Sequence, residues 1–353
     1  MRALDAHRPR FRWRGAQVVE LAPAVRTMLT ALFHAHDTDK DGALSATELQ
    51  ELLSTAPYSP WEAPQWKASA ETVAGGLTLK GFMARWALKT MLEPEDTFTF
   101  LQYLGFQGDV HAALHISKRR AAERAKGHVE RATLKALVLG APQSGKSAAL
   151  DHFIGLPFRK TPALVQPDKR FTAKEVELEG RPVTLTLHEP SPKEMEGVLV
   201  DSAELARADV ALFVYDCTSP ASFEFTSRQL HRLAEMDCGV PCVLVAAKHD
   251  LAALPEVQEA ISVLAAQVPA VCEELAIPAP LPLSLRAGDA SAVYQKLLEA
   301  VVRPASHVPE TPRMRTAKAN HAAVTKAYTY IALSAAVGVV AVLVYRWGRI
   351  RSG

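Results

Sequence analysis

The stretch "LKALVLGAPQSGKSAALDHF", residues 134–153, constrains the chain more than any other. An apolar run, a loop of the form G-x-x-x-x-G-K-S and a helical pattern follow without a break, which predicts a strand, a tight backbone loop and a helix. Backbone N–H groups of such a loop and of the helix it opens converge on one point, so the segment reads as a cradle for phosphate. Lys146 is placed to neutralise β- and γ-phosphate oxygens and Ser147 to bind magnesium, with Gly140, Ser144, Gly145 and Ala148 completing the loop. Around it the apolar runs "KEVELEG", "RPVTLTLH", "DVALFVYD", "PCVLVAAK" and "LPLSL" alternate with longer polar or helical stretches. That rhythm predicts a mostly parallel sheet covered by helices.

The base that accompanies the phosphates is read from "AAKHD", which closes the strand "PCVLVA". Guanine-binding proteins of the Ras type carry N-K-x-D there. Asp250 keeps the carboxylate that accepts both donors of the guanine edge and Lys248 the stem that lies over the ring, whereas Ala247 lacks the amide. Guanine selection is expected in weakened form, with Ser284 of "SLRAG" in the loop that closes over the base. On the γ-phosphate side the D-x-x-G of such proteins is replaced by "EPSP". Glu189 can reach magnesium through water, but Pro192 has no N–H to offer, and Lys193 stands where many such enzymes place a water-orienting Gln. Binding of GTP or GDP is therefore better supported than efficient hydrolysis, and no catalytic residue is assigned.

Upstream, "DTDKDGALSATE" has oxygen ligands at positions 1, 3, 5, 7, 9 and 12 of a twelve-residue EF-hand loop. Asp37, Asp39 and Asp41 fill the first three, Gly42 permits the turn, and the Ala43 carbonyl supplies the fourth. Ser45 acts directly or through water, and Glu48 is placed to bind with both oxygens. A hard cation taking six to eight oxygens at about 2.3–2.6 Å suits this set, so calcium is expected. Helical spacing precedes and follows the loop, and Leu44 is expected in a short β-bridge. The segment "AGGLTLKGFMARWALKTML" reads as a second hand whose loop has lost its carboxylates, with a β-like run at Leu77–Leu79. One calcium site is therefore expected.

With 40 Lys and Arg against 38 Asp and Glu, bulk charge gives no reason to expect nucleic-acid binding. The four cysteines lack metal-ligand spacing and read as reduced thiols. Near the end, "AYTYIALSAAVGVVAVLVY", residues 327–345, is uncharged, close to bilayer length, edged by tyrosines and flanked by Lys326, Arg346, Arg349 and Arg351. It is expected to be a single-pass tail anchor with the bulk of the chain facing the cytosol. The whole is expected to be an α+β multidomain protein. Residues 1–17 form a basic tail, 18–116 the EF-hand pair, 117–131 a charged linker, 132–304 the P-loop α/β domain, 305–326 a basic linker, 327–345 the transmembrane helix and 346–353 a basic tail.

These motifs, with "PYSPW", "GGLTLKGFMARW", "YLGF", "LVYDCTSPASFE" and "VAAKHDL", resemble the C-terminal portion of the mitochondrial Rho GTPases, the Miro family. The resemblance implies a small-GTPase-like domain, calcium, magnesium and GTP or GDP as ligands, an outer-membrane location on mitochondria, and a part in mitochondrial transport, distribution and homeostasis through adaptors of kinesin and dynein. It also implies that "AAK" and the missing switch glycine are features of that family's second GTPase domain. Glu189 departs from it, since an Asp is expected there. The alternative is a calcium-binding membrane scaffold whose nucleotide domain binds weakly or does not hydrolyse.

Overall fold

The computed structural model describes residues 18–66, 68–116, 129–158, 170–201, 205, 207–286, 288, 290–320 and 323–326. Most of the predicted connector 117–131 and all of the predicted anchor 327–345 lie outside these residues. Among the described residues no helix is long and apolar enough to cross a membrane. The chain divides into two units at residues 309 and 310. In the second, residues 312–320 and 323–326 are helical.

The first unit opens with strand β1, Val19–Leu21, and helix α1, Pro23–His36, which starts on a proline at its N-terminus and buries Val25, Leu29 and Phe33 along one stripe. After the acidic loop come β2, Ala43–Leu44, and α2, Ala46–Leu52. Ser45 caps α2 in a reciprocal box with Glu48. Where the second hand's loop is expected, the chain instead makes a hairpin of β3, Thr72–Val73, and β4, Gly76–Thr78. Ala74 and Gly75 turn it with φ of +50° and +88°, the sense that suits a two-residue hairpin. Leu44 pairs with Leu77, as the β-bridge requires.

Leu79 leaves the strand to begin α3, Leu79–Leu92, because the Thr78 hydroxyl accepts the Gly81 N–H at 3.0 Å and caps the helix one residue earlier than the apolar run suggests. Helix α4, Pro94–Tyr103, follows at once; then α5, Val110–Ala113, and β5, Leu114–Ile116, which pairs antiparallel with β1 and closes the module.

The second module is built on β6, Thr133–Gly140, whose eight residues are all buried. With α6, Lys146–Phe153, β7, Arg170–Leu178, β8, Arg181–Glu189, α7, Pro192–Val198, and β9, Val210–Asp216, the chain lays out one half. Helix α8, Pro220–Glu235, β10, Cys242–Ala247, α9, Gln258–Glu274, β11, Leu281–Leu283, and α10, Ser291–Val302, complete it. The sheet order is β11-β10-β9-β6-β8-β7, parallel except for β7. Alternate residues of β6 enter two cores: Leu134, Ala136 and Val138 meet α6 and α10, while Leu137 and Leu139 meet α8 and α9. Burial on both faces is why these strands read as unbroken apolar runs.

The two modules do not rely on the charged connector to meet. Edge strand β7 is met by the first module: the Ala173 N–H donates to the Ser69 carbonyl at 2.7 Å, and Ala70 bridges Ala173. Arg26 pairs with Glu175 at 3.1 Å and Lys174 with Glu71 at 3.0 Å. Phe171 and Ala173 join the first module's own core. An uncovered edge exposes unpaired backbone groups, and this contact pairs one of them at Ala173. The two modules therefore share a direct interface along β7.

Candidate functional site

In the acidic loop, one carboxylate oxygen from each of Asp37, Asp39 and Glu48 lies within 4.8 Å of the others. The loop amides hold them: Gly42 N–H donates to Asp37 Oδ2 at 3.2 Å and Asp41 N–H to Asp39 Oδ1 at 3.3 Å. Glu48 Oε1 accepts from the Thr38 hydroxyl at 2.6 Å and its N–H at 2.8 Å, and Oε2 accepts from the Ser45 hydroxyl at 2.8 Å and its N–H at 2.9 Å. The Thr38 hydroxyl, followed by the Ser45 and Thr38 amides, holds the Glu48 carboxyl down at about 2. Asp41 faces the Ala43 N–H at 2.7 Å instead of the other three, and the Ala43 residue lies in β2. Asp37 Oδ1 is buried and has no hydrogen-bond partner. An all-oxygen set with an orphaned carboxylate oxygen fits a hard divalent cation.

The phosphate loop sits at the C-terminal end of the central strand. Gly140 is obligatory there: its φ is +134°, and a Cβ would lie 2.0 Å from the Val214 carbonyl oxygen on β9. Lys146 is buried and its ammonium donates to the Gly140 and Ala141 carbonyls at 3.1 and 2.7 Å, inside its own loop. Burial lowers its pKa, and nearby Glu189 opposes that shift. Ser147 donates from Oγ to Glu189 Oε1 at 3.1 Å, and Glu189 Oε2 is buried without a partner. Burial raises the Glu189 carboxyl, and Lys146 is the first charge to counter it. A hydroxyl beside a carboxylate with an unsatisfied oxygen fits magnesium, so Glu189 in place of Asp still reaches the Ser147 side of the loop. Ala148 is half-buried on the first turn of α6, and the fully buried Ser144 hydroxyl has no partner.

Past Glu189 the chain is committed to helix α7. Ser191 caps it in a second reciprocal box with Glu194, and Pro192 takes its first position. Pro192 and Lys193 are both exposed.

On the base side, the Ser284 hydroxyl donates to Asp250 Oδ1 at 2.9 Å, which brings together residues from the loops after β11 and β10. Lys248 has φ of +60°, and its ammonium lies 2.5 Å from Asp216 Oδ2. Ala247 ends β10 against the phosphate loop, its Cβ 3.6 Å from where a Cβ would stand on Gly145. Two neighbours were not singled out from the sequence. Arg170 pairs with Asp151 and donates to the Ser147 carbonyl at 3.1 Å, next to the Ser147–Glu189 pair. Asp216, at the end of "VYD", is the other. Its position at the C-terminal end of a strand beside the phosphate loop is the signal that could have found it.

Every predicted nucleotide residue thus lies at the C-terminal edge of β6, β8, β10 and β11, where a parallel sheet binds ligands. The fold and this edge define a class: a P-loop nucleotide-binding domain of Ras type behind a calcium-type hand. In agreement, the Ras family model matches residues 135–278 and the model described as EF hand associated matches residues 61–128.

The chain belongs to the mitochondrial Rho GTPase family. It is 33% identical to "Mitochondrial Rho GTPase 2" of Arabidopsis thaliana over 337 residues, 94% of this chain and 51% of that protein. It is 31% identical to "Mitochondrial Rho GTPase 1" of Cryptococcus neoformans, over 85% of this chain and 44% of that protein. It is 30% identical to "Mitochondrial Rho GTPase 1" of Saccharomyces cerevisiae, over 85% and 46%. The chain spans about half the length of these relatives.

Proposed function

We propose that this chain binds calcium through Asp37, Asp39, Asp41, Ala43, Ser45 and Glu48, and binds GTP or GDP at the sheet edge, hydrolysing GTP slowly. The observation that carries the reading is the convergence of three groups on one edge: Lys146 in its loop, the Ser147–Glu189 pair, and the Asp250–Ser284 pair. Lys146 would exchange its loop carbonyls for phosphate oxygens. Ser147 and Glu189 would hold magnesium, which supplies charge neutralisation across the β- and γ-phosphates. Asp250, already held by Ser284, would accept the two donors of guanine. Slow turnover follows from α7, whose first residue is a proline with no N–H and whose second is a cation.

The same proposal places the protein in the mitochondrial outer membrane through residues 327–345, with motor adaptors as partners. Its mitochondrial part is supported by the kinship with mitochondrial Rho GTPases and its membrane part by the apolar run itself. The scaffold alternative is favoured by Pro192 alone. Nucleotide released from the purified protein, and GTP turnover under single-turnover conditions, separate the two. The proposal expects bound guanine nucleotide, a preference for GTP over ATP that Asp250→Asn relaxes, and measurable turnover. Equal affinity for GTP and ATP would sink it. Removal of 327–353 is expected to release the protein from mitochondria, and a truncated chain that still fractionates with them refutes the anchor.

A further inference from the structure

We infer that Asp216 is the positioning residue of the base site: it anchors the Lys248 ammonium so that the methylene stem of Lys248 presents a fixed apolar face to guanine. The inference rests on the guanine reading above. Lys248 stands in the left-handed region at φ of +60°, where a side chain other than glycine is held only by its surroundings. The Ala247 side chain before it carries no polar group to tie this turn to its neighbours. The tie runs through Lys248 instead, from its Nζ to Asp216 Oδ2 at 2.5 Å.

Asp216 is itself fixed on three sides. Its Oδ1 accepts from the Thr218 N–H at 2.9 Å and from the Thr218 hydroxyl at 2.7 Å, and its backbone N–H donates to Ser222 Oγ at 3.0 Å. It ends β9 opposite Ala247 of β10, and the next N–H, of Cys217, donates to the Ala247 carbonyl at 3.0 Å. A carboxylate that gives one oxygen to its own turn and the other to a lysine 32 residues away joins two strand ends into one rigid corner. The Asp216 side chain is 13% exposed and that of Lys248 37%, so the anchoring carboxylate is largely covered while the lysine side chain stays open to a ligand. An anchored stem loses little freedom when a ring lies on it, which is how preorganisation gains affinity.

The test uses the full chain and dissociation of fluorescent GDP, with inorganic tripolyphosphate and magnesium as a competitor that has no base. Asp216→Asn is expected to speed GDP release about tenfold, the loss of a charge-assisted hydrogen bond, and to leave tripolyphosphate competition unchanged. Lys248→Met, which keeps a stem and removes the ammonium, is expected to give a similar acceleration. The double variant is expected to be no worse than the poorer single one. GDP release unchanged in Asp216→Asn, strictly multiplicative effects in the double variant, or equal weakening of tripolyphosphate overturns the inference. Should Asp216→Asn fail to fold, unchanged release in Lys248→Met overturns it by itself. A parent chain that binds GTP and ATP equally overturns the guanine reading and this inference together, whereas a guanine-selective parent with an indifferent Asp216→Asn overturns this inference alone.

Discussion

Replacing Glu20 by glutamine should stabilise the protein above neutral pH and do little below pH 5. Glu20 lies on β1 at the seam between the modules, 5% exposed, with Oε1 accepting the Thr133 N–H at 2.6 Å. Burial raises its carboxyl from 4.5 to about 7, against the opposing pull of the Thr133 amide and Arg131. Between those values the folded chain keeps a proton that the unfolded chain releases, so stability falls as pH rises through the window. Above it the full cost of a buried carboxylate is present, about 3 kcal/mol at 1.36 kcal/mol per pH unit. Glutamine keeps a carbonyl oxygen for Thr133 and cannot ionise. Arg131 is not stranded by the change, because it pairs with Asp209 at 2.6 Å. Urea denaturation of parent and variant at pH 5, 6, 7 and 8 reads the effect directly. The difference should grow from near zero toward about 3 kcal/mol in favour of the variant. A difference that is constant with pH, or largest at pH 5, would refute the reasoning.

Glu48→Gln should weaken calcium severely by removing a bidentate charge, and calorimetric titration of the parent should give one site per chain; two comparable sites would contradict it. Gly140→Ala should cost about 3 kcal/mol or more and abolish nucleotide retention, because the new Cβ meets the Val214 carbonyl at 2.0 Å. Unaltered melting of that variant would show that the strand end is not fixed as described. Ala247→Asn should tighten GDP several-fold by supplying an amide beside the phosphate loop, where the buried Ser144 hydroxyl lacks a partner. Weaker binding in that variant would count against the Ala247 argument.

What the sequence made legible is local chemistry. The loop from Asp37 to Glu48 and the run from Gly140 to Ser147 carry their roles in residue type and spacing, and strands β6, β9 and β10 announce themselves by being apolar throughout. Helix α3 shows the opposite case. The sequence reads as an amphipathic helix carrying Phe82, Trp86 and Leu88, yet residues 81–90 are buried without interruption, and nothing in the pattern marks Lys89 as a core residue. It is in fact 1% exposed, held by Glu93 and Asp96 at 2.6 and 2.5 Å. The β-like reading of Leu77–Leu79 runs one residue too far, because the alternation Leu-Thr-Leu is silent about the Thr78 cap. The partners of Asp216 and of Ala173 are distant in the chain, and pairs of that kind exist only once strands are laid side by side.

On the calcium reading proposed above, the hairpin that stands where a second loop was expected sets how this module would meter the ion. It closes on its own backbone, with the register Thr72 to Leu77 and Val73 to Gly76, and contains no carboxylate. Its shape is therefore set before any ion arrives, and Leu77 hands that shape to the first loop through Leu44. A lone loop fills along a simple hyperbola, taking about two decades of free calcium to pass from one-tenth to nine-tenths occupied. Two coupled loops would compress that span into a threshold. Whatever surface reads this module reads concentration by degree, as a gauge is read.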